Sequence, residues 1–216
     1  MSTPPRSTPA QQGPPPTLAE APTTTLRGQS WFREHQERPG TGAGCWYYAS
    51  RPTDPTRGGR FDLPEPEGTC YFADAEVVAA MERVGVFTAK GKPVPADNVT
   101  GRVVSEVDPG DLPPAAADLL APQAATAFGV TGELFTMPDY SVPQHWARAG
   151  RAAGHAAVVY TPRFSPFGRA IAVFDASGPR AQATTGRRPL AQVLAIHGIQ
   201  VAPIPRTPGM TFVQAP

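Results

Sequence analysis

Along the chain, short apolar runs rich in Val, Ile, Tyr or Phe occur at residues 45–49, 69–73, 99–107, 156–161, 170–175 and 199–204, each closed by Gly, Pro or charged residues. Runs of that length and composition predict strands. Between them, apolar positions recur at helical spacing over 75–84, about 115–128, 142–153 and 189–197. Asp74 stands where an N-cap acceptor belongs, and Gly85 where a left-handed residue ends a helix. The run Ser141-Val142-Pro143-Gln144 has the spacing of a capping box with Pro in the first turn. On the first helix Val77, Ala80, Met81 and Val84 form the expected buried stripe, with Glu82 at its margin. On the third, Val142, Trp146, Ala149 and Ala153 share a face that places Trp146 in the core and leaves Gln144, Arg148 and Arg151 to solvent. Strands and helices without regular alternation predict an α+β fold rather than a doubly wound sheet.

Composition then divides the chain. Residues 1–30 are rich in Pro, Thr and Ser and poor in large aliphatic side chains, so this segment is expected to be a disordered extension whose removal leaves stability unchanged. Residues 31–216 carry the aromatics and form one mixed domain. The full chain of 216 residues has 19 Lys and Arg against 18 Asp and Glu, for a formal net charge of +1. That balance gives no electrostatic reason to expect direct nucleic-acid binding. Absence of a long apolar run argues against a membrane span, and absence of a basic start followed by an apolar stretch argues against a signal peptide; the expected location is cytoplasmic. Cys45 and Cys70 read as buried thiols of a reducing compartment. His35, His145, His155 and His197 are scattered, and no metal site is expected.

The chemistry-bearing stretch begins at Arg57-Gly58-Gly59-Arg60-Phe61. Paired glycines let backbone approach a ligand closely, and Arg60 leaves that bend able to meet a phosphate. Tyr71 follows on the next strand, and Glu82 on the next helix. An Arg, a Tyr and a carboxylate in one cleft suit a ligand with a phosphate, a flat ring and a ribose, such as a dinucleotide.

Five segments in order, GGRF (58–61), GTCYFA (68–73), AEVVAAME (75–82), 128–163 and AIAVFD (170–175), resemble the RES domain family, named for its Arg, Glu and Ser. The resemblance implies a fold similar to ADP-ribosyltransferases and an enzyme that consumes NAD as substrate, without a further cofactor, by cleaving the nicotinamide-ribose bond through hydrolysis or phosphorolysis. It also implies a bacterial toxin with an Xre-like helix-turn-helix antitoxin, and a homodimer. In that frame Glu82 stabilises the oxocarbenium-like ribose, Tyr71 orients nicotinamide or ribose, and Arg60 with Gly59 receives the pyrophosphate. Two departures stand out. The family's early Arg has no counterpart on the strand 45–51, where Tyr47 or Tyr48 replaces it and Arg51 could supply the charge. Pro162 stands at the family's Ser, with Thr161 and Ser165 as the nearby hydroxyls. These departures leave room for a nucleotide-binding or interaction module without turnover, and for transfer of ADP-ribose to a protein.

Overall fold

The computed structural model describes residues 11–37, 44–52 and 58–203; Arg57, in the sequence motif above, lies outside them. In chain order the strands and helices are β1 (Thr23–Thr25), β2 (Trp31–Gln36), β3 (Tyr47–Tyr48), β4 (Glu67–Ala73), α1 (Glu76–Thr88), β5 (Val94–Pro95), β6 (Arg102–Val107) and β7 (Ala115–Asp118). They continue through α2 (Pro122–Phe128), α3 (Glu133–Thr136), α4 (Ser141–Ala152), β8 (Ala157–Tyr160), β9 (Ala170–Ala176), β10 (Gly178–Pro179), β11 (Thr184–Pro189), α5 (Leu190–Ile196) and β12 (Val201–Ala202).

Eight strands form one sheet in the order β1-β7-β8-β9-β4-β2-β6-β11. The fold is mixed α+β, and every pairing in this sheet is antiparallel except β7 with β8. Side-chain alternation sorts its two faces. Ile171 and Val173 of β9, Cys70 and Phe72 of β4 and Trp31 of β2 share one core beneath the sheet with Trp46 and Tyr48. Ala172 and Phe174 face the opposite way, against Trp146 of α4 and Leu134 of α3. Farther along that second face, Ala73 and Val104 pack beneath α1 and α5. Tyr71 and Ala73 lie two positions apart on β4, so both helical layers cover the same face of the sheet.

The sheet is forked in its middle. β4 pairs with β9 along its whole length, and β2 with β6. β2 and β4, by contrast, are joined through one residue pair, Phe32 opposite Ala73. The fork separates the α2–α4 layer from the α1–α5 layer, and it opens where Tyr71 stands.

Several expectations from sequence are corrected. The 115–128 segment divides into β7, with Ala116 and Ala117 buried between β1 and β8, and α2, which starts where Pro122 loses no helical hydrogen bond. Small alanines at helical spacing concealed a strand whose neighbours supply the packing. Strand 99–107 begins only at Arg102, after Gly101 turns the chain at φ +67°. The 199–204 strand is the short β12, and Ile204 lies outside the described residues. β1, β2 and β11 were not anticipated. β11 reads TTGRRP and pairs by its backbone with β6, without an apolar stripe to announce it.

Capping also differs. Ala75 is the N-cap of α1, while the Asp74 carboxylate accepts from Arg169 N at 2.9 Å. Gly85 lies inside α1, which continues to Thr88. The helix buries Val78, Ala79, Ala80, Val84 and Gly85, a stripe rotated from the one expected, with Val77 and Met81 half-buried. At α4 the donor-satisfying group is Asp139, which accepts from Ser141 N at 2.8 Å, and Ser141 makes no side-chain cap. Trp146 is core and Arg148 exposed, as expected, but Gln144 is fully buried and Arg151 is half-buried against Glu67.

The largest correction concerns the extension. Residues 11–30 are part of the domain: Leu18 and Leu26 are buried in separate cores, and β1 extends the sheet beside β7. Gln11 donates its backbone N–H to Glu133 at 2.9 Å and accepts from Thr131 N at 2.8 Å. The Trp146 indole donates to Gln12 O at 2.9 Å. Proline-rich composition hid this because three well-placed apolar residues, Leu18, Ala21 and Leu26, suffice to dock a strap whose polar groups find partners on the fold. Residues 1–10 lie outside the described part.

Cys45 and Cys70 are buried free thiols, as expected. Burial pushes the Cys45 thiol up to about 12, so it is not a nucleophile at neutral pH. Among the described residues no helix is long and apolar enough to cross a membrane.

Candidate functional site

A cleft of about 350 Å³ opens at the fork, on the helix-bearing face. Its lining includes Gly59, Arg60, Tyr71 and Glu82, four of the residues singled out from sequence. Tyr71 reaches it because β4 alternation sends Cys70 and Phe72 to the other face.

One wall is the Gly58–Asp62 turn, held by a buried polar network. The Tyr71 hydroxyl accepts from Phe61 N at 2.9 Å and donates to Asp62 Oδ1 at 2.7 Å. The other Asp62 oxygen accepts from Gly59 N, and Gln144 Nε2 donates to Gly59 O at 3.1 Å. A Cβ on Gly59 would lie 2.6 Å from both the Tyr71 hydroxyl and Asp62 Oδ1, so glycine is required for close approach. Asp62 is almost fully buried, and burial pushes its carboxyl up while the bonds from Tyr71 and Gly59 pull it back. Burial, with the Asp62 charge beside it, holds the Tyr71 phenol well above its ordinary range. Tyr71 therefore remains a neutral donor, and its hydroxyl is committed to the turn while its ring faces the cleft.

Arg60 is buried at 7% exposure. Its Nη1 donates to Met137 O at 3.0 Å, and its guanidinium lies 4.6 Å from the Tyr140 ring centroid. Burial works against its charge, and Tyr140, Tyr160 and Glu82 act in favour of it. Arg60 thus ties the α3–α4 connection to the turn while lining the cleft.

Glu82 stands on α1 across from this wall and is open to the cleft. Crowding by protein on its other sides raises its carboxyl above the ordinary Glu value, and the Phe164 amide, Arg60 and Arg163 act in the opposite direction. Phe164 N lies 3.5 Å from Glu82 Oε1. Arg83 and Arg163 line the same space, as does Arg102, which pairs with Glu34. A carboxylate faced by several guanidinium groups suits a guest carrying both developing positive charge and anionic groups.

Other sequence candidates lie elsewhere. Among the described residues, Tyr47, Arg51, Thr161 and Ser165 do not line the cleft. Tyr47 is 44% exposed on β3, and Arg51 donates its backbone N–H to Leu63 O. Pro162 is buried. A cleft arginine comes from β2 instead: Arg33 lines the fork, donates to Tyr47 O at 3.1 Å and rests against the Cys70 sulfur. Its signal in sequence was the Trp31-Phe32-Arg33-Glu34-His35 alternation, ahead of the segment where an early Arg was sought. Asp62 and Gln144 were also missed. Asp62 directly follows the GGRF motif, but nothing in the sequence ties Gln144 to Gly59, 85 positions away. Among the described residues the Gln144 Oε1 atom is buried without a partner, a cost tolerated beside the cleft wall.

The RES domain family model matches residues 29–192, which span β2 through β11 and the start of α5 and include every cleft residue named above. No curated protein matches the chain. The crystal structure of the M. tuberculosis MbcT-MbcA toxin-antitoxin complex contains a chain of similar fold, with a TM-score of 0.59 and 17% identity over 85% of this chain and 96% of that one.

Proposed function

Because the chain belongs to the RES domain family, we propose that it is a toxin-type enzyme that consumes NAD by cleaving the bond between nicotinamide and ribose. The observation that carries this reading is the convergence of Glu82, Tyr71 and Arg60 on one cleft at the fork of the sheet. In the reaction the nicotinamide nitrogen leaves with the electron pair of the C–N bond. The ribose ring then carries oxocarbenium-like positive charge, and the Glu82 carboxylate stabilises it. The Tyr71 ring packs against the flat base or sugar, and Arg60, with Arg163 or Arg83 at the mouth, receives the pyrophosphate. Water or phosphate supplies the electron pair that closes the new bond at the anomeric carbon.

Incubation of the full chain with NAD, with and without phosphate, followed by mass-resolved chromatography tests the proposal. The expected result is nicotinamide release that Glu82→Ala abolishes, with ADP-ribose or its phosphate ester identifying the acceptor. Modified protein mass would instead reveal ADP-ribosyl transfer. Folded protein that releases no nicotinamide would overturn the reading. A second reading, nucleotide binding without turnover, draws on one observation: Pro162 carries no hydroxyl, and neither Thr161 nor Ser165 lines the cleft. NAD binding without release would support it.

The structural neighbour comes from a toxin-antitoxin complex. That neighbour supports an antitoxin partner, and the family resemblance extends the proposal to a helix-turn-helix antitoxin that covers the cleft, a cytoplasmic site of action and a homodimer. Phe167, fully exposed on the β8–β9 connection near the cleft, offers an anchor for such a partner.

A further inference from the structure

The second wall of the cleft is the connection between β8 and β9, and its seating on α1 is steric. A Cβ on Gly85 would lie 2.3 Å from Phe164 Cβ and Cγ, so the Phe164 ring occupies the space that any other residue would fill. A Cβ on Gly168 would lie 2.6 Å from Val78 Cγ2, a second close approach to the same helix. The far end of the connection is tied down by Asp74, whose N–H donates to Arg169 O at 3.0 Å and whose carboxylate accepts from Arg169 N. Buried Pro162 fixes φ at the near end, and its carbonyl accepts from Ser165 N at 3.4 Å. Gly85 and Glu82 lie three residues apart on α1 and therefore share a side of the helix. The turn seated at Gly85 thus presents its main chain to the Glu82 carboxylate, with Phe164 N at 3.5 Å.

We propose that this turn is a positioning device: its main chain at Phe164, held by the Phe164 ring in the Gly85 notch, sets an amide against the Glu82 carboxylate and fixes it in the cleft. The inference rests on the reading of Glu82 as the reacting carboxylate and adds how it is aimed. Gly85 and Phe164 are positioning residues, which act on the reacting atoms through Glu82. Other groups facing Glu82 are Arg60 from the opposite wall, Arg163 of the turn itself and Tyr160 at the end of β8, with Arg83 beside it on α1 and Tyr71 across the cleft. None of these is removed by a change at position 85.

The test uses the full chain and three variants: Gly85→Ala, Phe164→Ala and the double variant. Alanine is a better helix former than glycine, so Gly85→Ala would leave activity intact and favour the helix if the notch had no role. The expected result is a loss of roughly tenfold to a hundredfold in kcat/KM for NAD cleavage, as misplacement of a reacting group produces. Loss of that amide donor also moves the acid limb of the pH profile upward, because such a donor favours the ionised carboxylate. In the Phe164→Ala background the ring is gone and the turn has already lost its seat; the methyl added at position 85 still meets the Cβ of residue 164, so Gly85→Ala costs less there than in the wild type and the double variant loses less than the sum of the two single losses. An unchanged acid limb in folded Gly85→Ala, or additive losses in the double variant, would overturn the proposal. A carbon-13 NMR titration of the Glu82 carboxyl, assigned with Glu82→Gln, reads this contact without turnover. If the wild type cleaves no NAD, the functional reading fails, yet an upward titration shift in Gly85→Ala still upholds the contact and an unmoved one still defeats it. If Gly85→Ala does not fold, Phe164→Ala decides by the same titration.

Discussion

The two walls of the cleft solve one problem by opposite means. The Gly58–Asp62 wall is chemical: Tyr71, Asp62 and Gln144 reach it from β4, the turn itself and α4, and they satisfy its backbone groups inside the protein. The β8–β9 wall is steric: Phe164 sits where Gly85 lacks a side chain, and Phe167 at its tip is fully exposed. A buried hydrogen-bonded wall is intolerant of losing one partner, since each group left unpaired bears its full desolvation cost. A wall seated by close packing tolerates volume-conserving apolar swaps and is intolerant of added volume.

The largest effect should come from undercutting the chemical wall. Deletion of residues 1–26 removes the buried Leu18, Ala21 and Leu26 and the carbonyl that receives the Trp146 indole of α4, the helix that also carries Gln144. A loss of about 4 kcal/mol or more is expected, at roughly 1.5–3 kcal/mol for each large buried side chain. Urea unfolding of the truncated chain measures it, and an unchanged midpoint would show that the strap contributes no stability.

Next is Asp62→Ala, which leaves the Tyr71 hydroxyl and Gly59 N–H without their acceptor. Two buried groups unpaired imply a loss of about 3 kcal/mol. Asp62→Asn keeps an oxygen for Tyr71 and sets an amide against Gly59 N–H, so it should lie between Ala and wild type. Equal stability of all three in thermal unfolding would reduce this wall to ordinary packing.

Glu82 lies between the walls, and Glu82→Gln should abolish NAD cleavage while slightly stabilising the fold at neutral pH. The folded carboxyl is raised by the protein crowding its sides away from the cleft, so it holds its proton more tightly than the unfolded chain does. Its stabilising contribution is full below the ordinary Glu value and declines as pH rises through the raised one. Stability measured from acid to neutral pH should therefore fall less in Glu82→Gln than in wild type. A steeper fall in the variant would reverse the assigned direction.

The smallest effects are expected for Thr161→Val and Ser165→Ala, which lie on the steric wall's connection outside the cleft lining. Changes within about 0.5 kcal/mol and an unchanged kcat/KM are expected. A large loss of activity in either would mean that a hydroxyl from this segment takes part in the chemistry.

What could be read in advance follows from how local each feature is. Strands with strong apolar patterns, β4, β8 and β9, lie close to their expected bounds because they are buried on both faces and so read as continuous apolar runs of consecutive residues. The β7 strand and the docked residues 11–30 escaped because alanines and prolines carry little pattern of their own, and their burial is supplied by distant partners, such as β1 and β8 for β7 and Glu133 for Gln11.

For the site, the order GGR, Tyr71, Glu82 was legible because each glycine, donor and carboxylate is a residue type that its chemistry demands. Their convergence was not, because it depends on a sheet that forks between β2 and β4. Sequence by itself determined an α+β chain with its core strands, the identity of the Arg60, Tyr71 and Glu82 groups, and the family they resemble. Tertiary structure alone decided that Arg33 lies at the fork, that Gln144 is buried against Gly59, and that Gly85 is a notch rather than a helix end. The physical reason is that a residue's type fixes what it can bond, while only the distant segment folded against it fixes whether it does.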